Sequence, residues 1–155
     1  MFGVCIWFEL IKPHSFFNLT RILAIKCVCN SHNPHITINY NPVNKTDYNL
    51  DNYKLLDFYK VGDVYQTCNQ NFYSLQQDYV MKTNPKKYHV SLIYKVDTKF
   101  TDNEIKYANS LDIPTIINSN EIKKTIWNCD NVDTQLWVEI NPQSQPEYLD
   151  DNEDI

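Results

Sequence analysis

The sequence predicts an α+β domain with an antiparallel sheet, and three observations lead there. The 155 residues, 43% hydrophobic and 14% aromatic, supply enough apolar surface for the core of one domain. Strand and helix signals are mixed without the strict βαβ repetition of a parallel sheet. Two segments, starting at His35 and His89, repeat one polar and apolar alternation of strand period. A single domain over residues 1–141 is expected, followed by an acidic tail over 142–155 too poor in apolar residues to pack.

The elements are expected in the following order. Gly3 to Leu10 holds Val4, Ile6, Trp7 and Phe8 and ends before Pro13, which suits a largely buried strand. Ser15 is placed to cap a helix of about 13 residues, because Phe16, Leu19, Leu23 and Cys27 recur near a 3.6 period. His35 to Tyr40, bounded by Pro34 and Pro42, is a second strand. Tyr53 to Val61 and Val64 to Cys68 flank Gly62-Asp63, the signature of a hairpin, with Phe72 to Leu75 a further strand. Lys82 to Lys87 reads as a loop and Tyr88 to Tyr94 as a strand. Thr101 and Glu104 have the spacing of a capping box, opening a helix to about Leu111. A short helix over Asn120 to Trp127 and a last strand over Gln135 to Ile140 complete the reading.

Composition removes several function classes. Only Gly3 and Gly62 are glycines, so neither a dinucleotide fingerprint nor a Walker loop is possible. The net charge of −5 comes from Glu147, Asp150, Asp151, Glu153 and Asp154 in the tail; the body is neutral and holds one arginine, Arg21. Long duplex nucleic acid is therefore a poor partner, and a small nucleotide a better one. Cys5, Cys27, Cys29, Cys68 and Cys129 are scattered without metal-ligand spacing, so reduced, buried thiols are expected, with no metal and no cofactor. The apolar opening lacks a basic n-region and is interrupted by Glu9 and Lys12, so an intracellular, cytoplasmic monomer with no membrane contact is expected.

The two repeated strands carry the chemistry. One reads His35-Ile36-Thr37-Ile38-Asn39-Tyr40, the other His89-Val90-Ser91-Leu92-Ile93-Tyr94. Alternation puts His35 with Thr37, and His89 with Ser91, on one face roughly 6.6 Å apart, while the aliphatic residues face the core. Two imidazoles facing one cleft can serve as base and acid near neutral pH, and the hydroxyls can donate to phosphate oxygens. One such tetrad more often marks a partly buried histidine bonded to its neighbours. Two copies on separate strands favour metal-independent phosphodiester chemistry, without saying which imidazole is the base.

These residues resemble the two-histidine (2H) phosphoesterase superfamily, LigT-like and cyclic-phosphodiesterase-like proteins marked by two H-h-[ST]-h tetrads, h being hydrophobic. The likeness runs from Gly3 to Ile140 in the succession of elements. It implies a bilobal fold with antiparallel sheets flanking a central cleft and helices outside, His35 and His89 as acid and base, and Thr37 and Ser91 as phosphate ligands. Members act on 2′,3′-cyclic phosphates, 2′–5′-linked oligoadenylates and cyclic oligonucleotide signals. Compact viral members are of this length class, which implies a viral antagonist of nucleotide-signalled immunity in the host cytoplasm.

Other residues have competing readings. Trp7 and Trp137 are either sheet packing or an aromatic platform for a base. Tyr40 and Tyr94, five positions after their histidines, fall on the opposite face of an unbroken strand, which suits packing. Lys86 and Lys87 are a solvated pair or an aid to phosphate binding, and His14 and His32 are given no catalytic role. The alternative function is a non-catalytic module that sequesters a nucleotide.

Overall fold

The computed structural model describes residues 4–40, 42 and 44–128. The expected strand Gln135 to Ile140, Trp137 within it, Cys129 and the acidic tail lie outside the described residues. In chain order the elements are β1 (Val4–Leu10), α1 (Ser15–Cys27), β2 (Asn30–Ser31), β3 (His35–Tyr40), β4 (Phe58–Asn69), β5 (Phe72–Met81), β6 (Asn84–Val96), α2 (Asp102–Ser110), β7 (Ile116–Ile117) and β8 (Ile122–Asn128). Among the described residues the strands form one sheet ordered β7-β4-β5-β6-β3-β1-β8, with β2 beside β6. Every pairing is antiparallel, in keeping with the α+β class. No described helix is long and apolar enough to cross a membrane.

Helix α1 buries the expected stripe, Phe16, Leu19, Leu23 and Cys27, in a cluster with Phe8, Ile36 and Val90. Its cap is His14 rather than Ser15: the His14 Nδ1 accepts the Phe16 amide at 3.1 Å. Helix α2 opens with the capping box read from Thr101 and Glu104, and its Ala108 joins the same cluster. Both helices thus pack on one face of the sheet. Of the cysteines, Cys5 and Cys27 are buried as expected, but Cys68 is exposed.

Three expected elements differ. Gly62-Asp63 is not a hairpin turn but a bulge inside the continuous strand β4, where the register with β5 slips between Val61 and Tyr65. Gly62 supplies the left-handed backbone the bulge needs, at φ +69°. The backbone groups left over by the bulge find side chains. The buried Gln77 amide donates to the carbonyls of Val61 and Gly62 at 3.1 and 3.0 Å, and Asn109 of α2 bonds both the amide and the carbonyl of Val64. The turn itself falls at Gln70-Asn71, both left-handed at φ 51° and 68°, as the hairpin joining β4 to β5 requires. Lys82 and Thr83 form the next turn, so β6 already begins at Asn84. The expected helix over Asn120 to Trp127 is a 3₁₀ turn at Ser119–Glu121 followed by β8. Strand β8, with β-branched Ile122, Thr125 and Ile126, pairs along the whole length of β1, and that tertiary pairing overrides a weak local helix signal.

The middle of the sheet is narrow. Strands β3 and β6 share one paired position, Ile36 opposite Val90. It joins β8-β1-β3 to β6-β5-β4-β7. Both side chains are 0% exposed. Replacing Ile36 by Ala is expected to cost about 2–5 kcal/mol in denaturant unfolding, with the cavity and the lost contacts adding; a loss under about 1 kcal/mol would show that the junction is not a core position.

Candidate functional site

The Ile36–Val90 pair decides the faces. Because both point into the core, their strand neighbours His35, Thr37, His89 and Ser91 all project from the opposite face, the one that carries neither α1 nor α2. That register, extended by one residue each way, sets His35 opposite Ser91 and Thr37 opposite His89. Two tetrads distant in sequence are therefore crossed, histidine to hydroxyl, at the junction of the two halves.

Each tetrad also ends in a bulge. Ile6 pairs with Asn39 but Trp7 with Thr37, so Ile38 is an extra residue. Leu75 pairs with Ile93 but Gln76 with Ser91, so Leu92 is likewise extra. The fourth position of both tetrads thus shifts the alternation. Tyr40, opposite Cys5, and Tyr94, opposite Ser74, return to the histidine face, which corrects their expected place on the other side. Tyr40 is 44% exposed there. The Tyr94 ring lies 4.7 Å from that of His32 and 5.0 Å from that of Phe72.

His35 is held on two sides. Its Nδ1 lies 2.7 Å from the Asn33 carbonyl oxygen, which can only accept, so Nδ1 carries the proton and Nε2 keeps a lone pair. Its ring stacks on Trp7 at 3.4 Å between centroids, and Trp7 stacks on Trp127 at 4.7 Å. With a ring on each face and 1% exposure, Trp7 is no open platform for a base; it backs His35. Burial pulls the His35 pKa down to about 3 against the opposing Asn33 carbonyl, and the nearby His89 adds to the depression.

His89 is half-buried and sits directly opposite Asp78 of β5. Burial lowers its pKa, and the Asp78 carboxylate resists that lowering. Tyr65 donates its hydroxyl to Asp78 Oδ1 at 2.6 Å, which fixes the carboxylate. The Gln76 amide lies 3.5 Å from the Ser91 hydroxyl, at the limit of hydrogen-bond range. Asp78, Tyr65 and Gln76 were not singled out in the sequence. The alternation Ser74-x-Gln76-x-Asp78 on a strand was the available signal, since it sets three polar side chains on one face.

His32, given no role from sequence, is 6% exposed on the same side, with Nε2 3.3 Å from the Ser74 hydroxyl. Burial, and then His35 and His89, hold its pKa well below the ordinary value. His14 is spent on α1 and on Glu121, 3.4 Å from its Nε2. Of the lysine pair, Lys87 shares the face of His89 by alternation, whereas Lys86 lies over the Tyr88 ring at 5.0 Å. Among the described residues no three His, Cys, Asp or Glu side chains converge as a metal site. Compared with known proteins, the chain matches no family model, no curated protein and no solved structure.

Three histidines with depressed values make stability depend on pH. An unfolded imidazole takes its proton near pH ~6.5, whereas these folded ones resist it, so the unfolded state binds more protons below that pH. Stability is complete above pH ~6.5 and falls as the pH drops towards the folded value, about 3 for His35. In chemical denaturation at stepped pH, the slope should approach about 1.4 kcal/mol per pH unit per histidine, and His35→Gln should remove one histidine's share. An unchanged slope in that variant would refute the buried neutral His35.

Proposed function

We propose that the chain is a metal-independent phosphodiesterase of the 2H kind, with a bilobal fold, acting on a small 2′–5′-linked or cyclic nucleotide. The observation that carries this reading is the crossing of the two tetrads at Ile36 and Val90, with both histidines and both hydroxyls on one face. Pure binding of a nucleotide needs hydrogen-bond donors but not two imidazoles in different electrostatic settings.

The two settings support a division of roles. His35, neutral and with its Nε2 lone pair turned away from Asn33, is the base. It takes the proton of a water or an adjacent ribose hydroxyl as that oxygen attacks phosphorus. His89 is the acid: the phosphodiester's negative charge between the imidazoles favours protonation, and Asp78 adds to that effect at His89. As the bond from phosphorus to the leaving oxygen breaks, His89 delivers its proton to that oxygen. Thr37 and Ser91 donate to the non-bridging oxygens, with Gln76 near Ser91 and Asp78, itself fixed by Tyr65, as a positioning residue for His89.

His35→Ala and His89→Ala should each lower kcat by roughly 10²–10⁴-fold, and the double variant should lose far less than the product of the two. Thr37→Ala and Ser91→Ala should cost on the order of 1–3 kcal/mol and weaken ground-state binding as well. The substrate panel is 2′,3′-cyclic nucleotides, 2′–5′ oligoadenylate and cyclic dinucleotides, read by chromatography with circular dichroism on the same preparations. Near wild-type turnover in either histidine variant would leave the sequestering module as the better reading.

Turnover should survive EDTA, since both proton transfers come from imidazoles; loss on chelation with recovery on adding a divalent ion would sink the mechanism. The pH profile should be bell-shaped. Asp78→Asn withdraws the charge that favours protonated His89, so the alkaline limb should move to lower pH. A limb that stays in place, or moves up, would remove Asp78 from the mechanism.

A further inference from the structure

Away from the paired tetrads, a cavity of about 350 Å³ opens between the first two turns of α1 and the segment Ser31 to Pro34. His14, Phe17, Asn18 and Arg21 recur at three- and four-residue spacing along α1, so they share the helix face turned to it. Arg21 is the chain's one arginine, and it is exposed here. Lys12 lines the same cavity, with its ammonium 5.4 Å from the centre of the Phe17 ring. Asn18, Ser31 and Asn33 add polar groups, and among the described residues no Asp or Glu lines the space. The first turn of α1 carries no acidic residue either, so its positive end is not neutralised locally. The nearby Glu121 carboxylate is engaged by His14.

We propose that this cavity is a phosphoryl-binding site, with Arg21 and Lys12 supplying the charge and the polar wall the hydrogen bonds. A planar guanidinium and a point-charge ammonium on one cavity, with no competing carboxylate among the described lining residues, make a donor set that suits a phosphoryl group. The volume admits a phosphate and part of a sugar. The group is carried by a nucleotide or is free orthophosphate, the chemistry being the same. The site stands on its own residues and does not depend on the paired-histidine reading.

A single arginine gives a single side-chain Nε–H resonance, so the full ¹⁵N-labelled chain reports on this cavity without ambiguity. It is titrated in phosphate-free buffer at constant ionic strength with inorganic phosphate, adenosine 5′-monophosphate and adenosine. Phosphate and the monophosphate should shift the Arg21 signal saturably, and adenosine should not. Arg21→Gln and Lys12→Gln, both at exposed positions, should each weaken phosphate binding by about tenfold, read from the Asn18 side-chain amide. Tighter binding of the monophosphate than of phosphate assigns the site to a nucleotide's phosphoryl group; equal binding assigns it to the free ion. The proposal is overturned if chloride moves the Arg21 signal as far as phosphate does, if adenosine matches its monophosphate, or if both variants bind like wild type. A chain without phosphodiesterase turnover would still give this titration, so the two readings fail separately.

Discussion

The contact between Ile36 and Val90 is small for what rests on it. It is the one paired position between β3 and β6, and it is fully buried. A strand side chain on the core face forces its neighbours to the other face, so fixing these two residues fixes the side on which four polar residues emerge. A slip of one residue at this point would send the histidines and hydroxyls into the core beside Phe8 and Leu92. The cost of burying unpaired imidazoles there is what makes the register unique.

Around that junction the structure spends stability on polarity. His32, His35 and Ser91 are each less than a tenth exposed, and both His35 and His32 resist protonation because burial strips water from the charged form. The compensations are local: a carbonyl from Asn33, the indole of Trp7 behind the ring, the hydroxyl of Ser74 near His32. His89 differs in having a carboxylate opposite it, itself held by Tyr65. Two histidines that look equivalent in sequence thus meet unequal electrostatics, which is the condition for one to act as base and the other as acid.

The second polar feature uses the opposite strategy. At the cavity beside α1 the cations remain exposed, with the Lys12 ammonium 5.4 Å from the centre of the Phe17 ring. An exposed charge keeps its hydration, which suits attraction of an anion; a buried imidazole gives up its charge, which suits proton transfer. The segment Ser31 to Pro34 runs between the two, with Asn33 bonding His35 through its carbonyl and also lining the cavity.

Local rules in the sequence determined whatever depends on a few neighbouring residues. The apolar stripe of α1, the capping box at Thr101 and Glu104, and the alternation inside each tetrad are all of this kind, because each is set by backbone geometry over one or two turns or a few strand positions. The tertiary structure decided what needs a partner strand. Whether Gly62 makes a turn or a bulge depends on β5 and on Gln77; whether 122–128 is helix or strand depends on β1. The extra residues Ile38 and Leu92 exist only relative to β1 and β5, and they turn Tyr40 and Tyr94 onto the face that unbroken alternation denied them. The difference between His35 and His89 arose in the same way, since Asn33 holds one from its own chain segment, while Asp78 reaches the other only across a strand pairing that no local sequence pattern specifies.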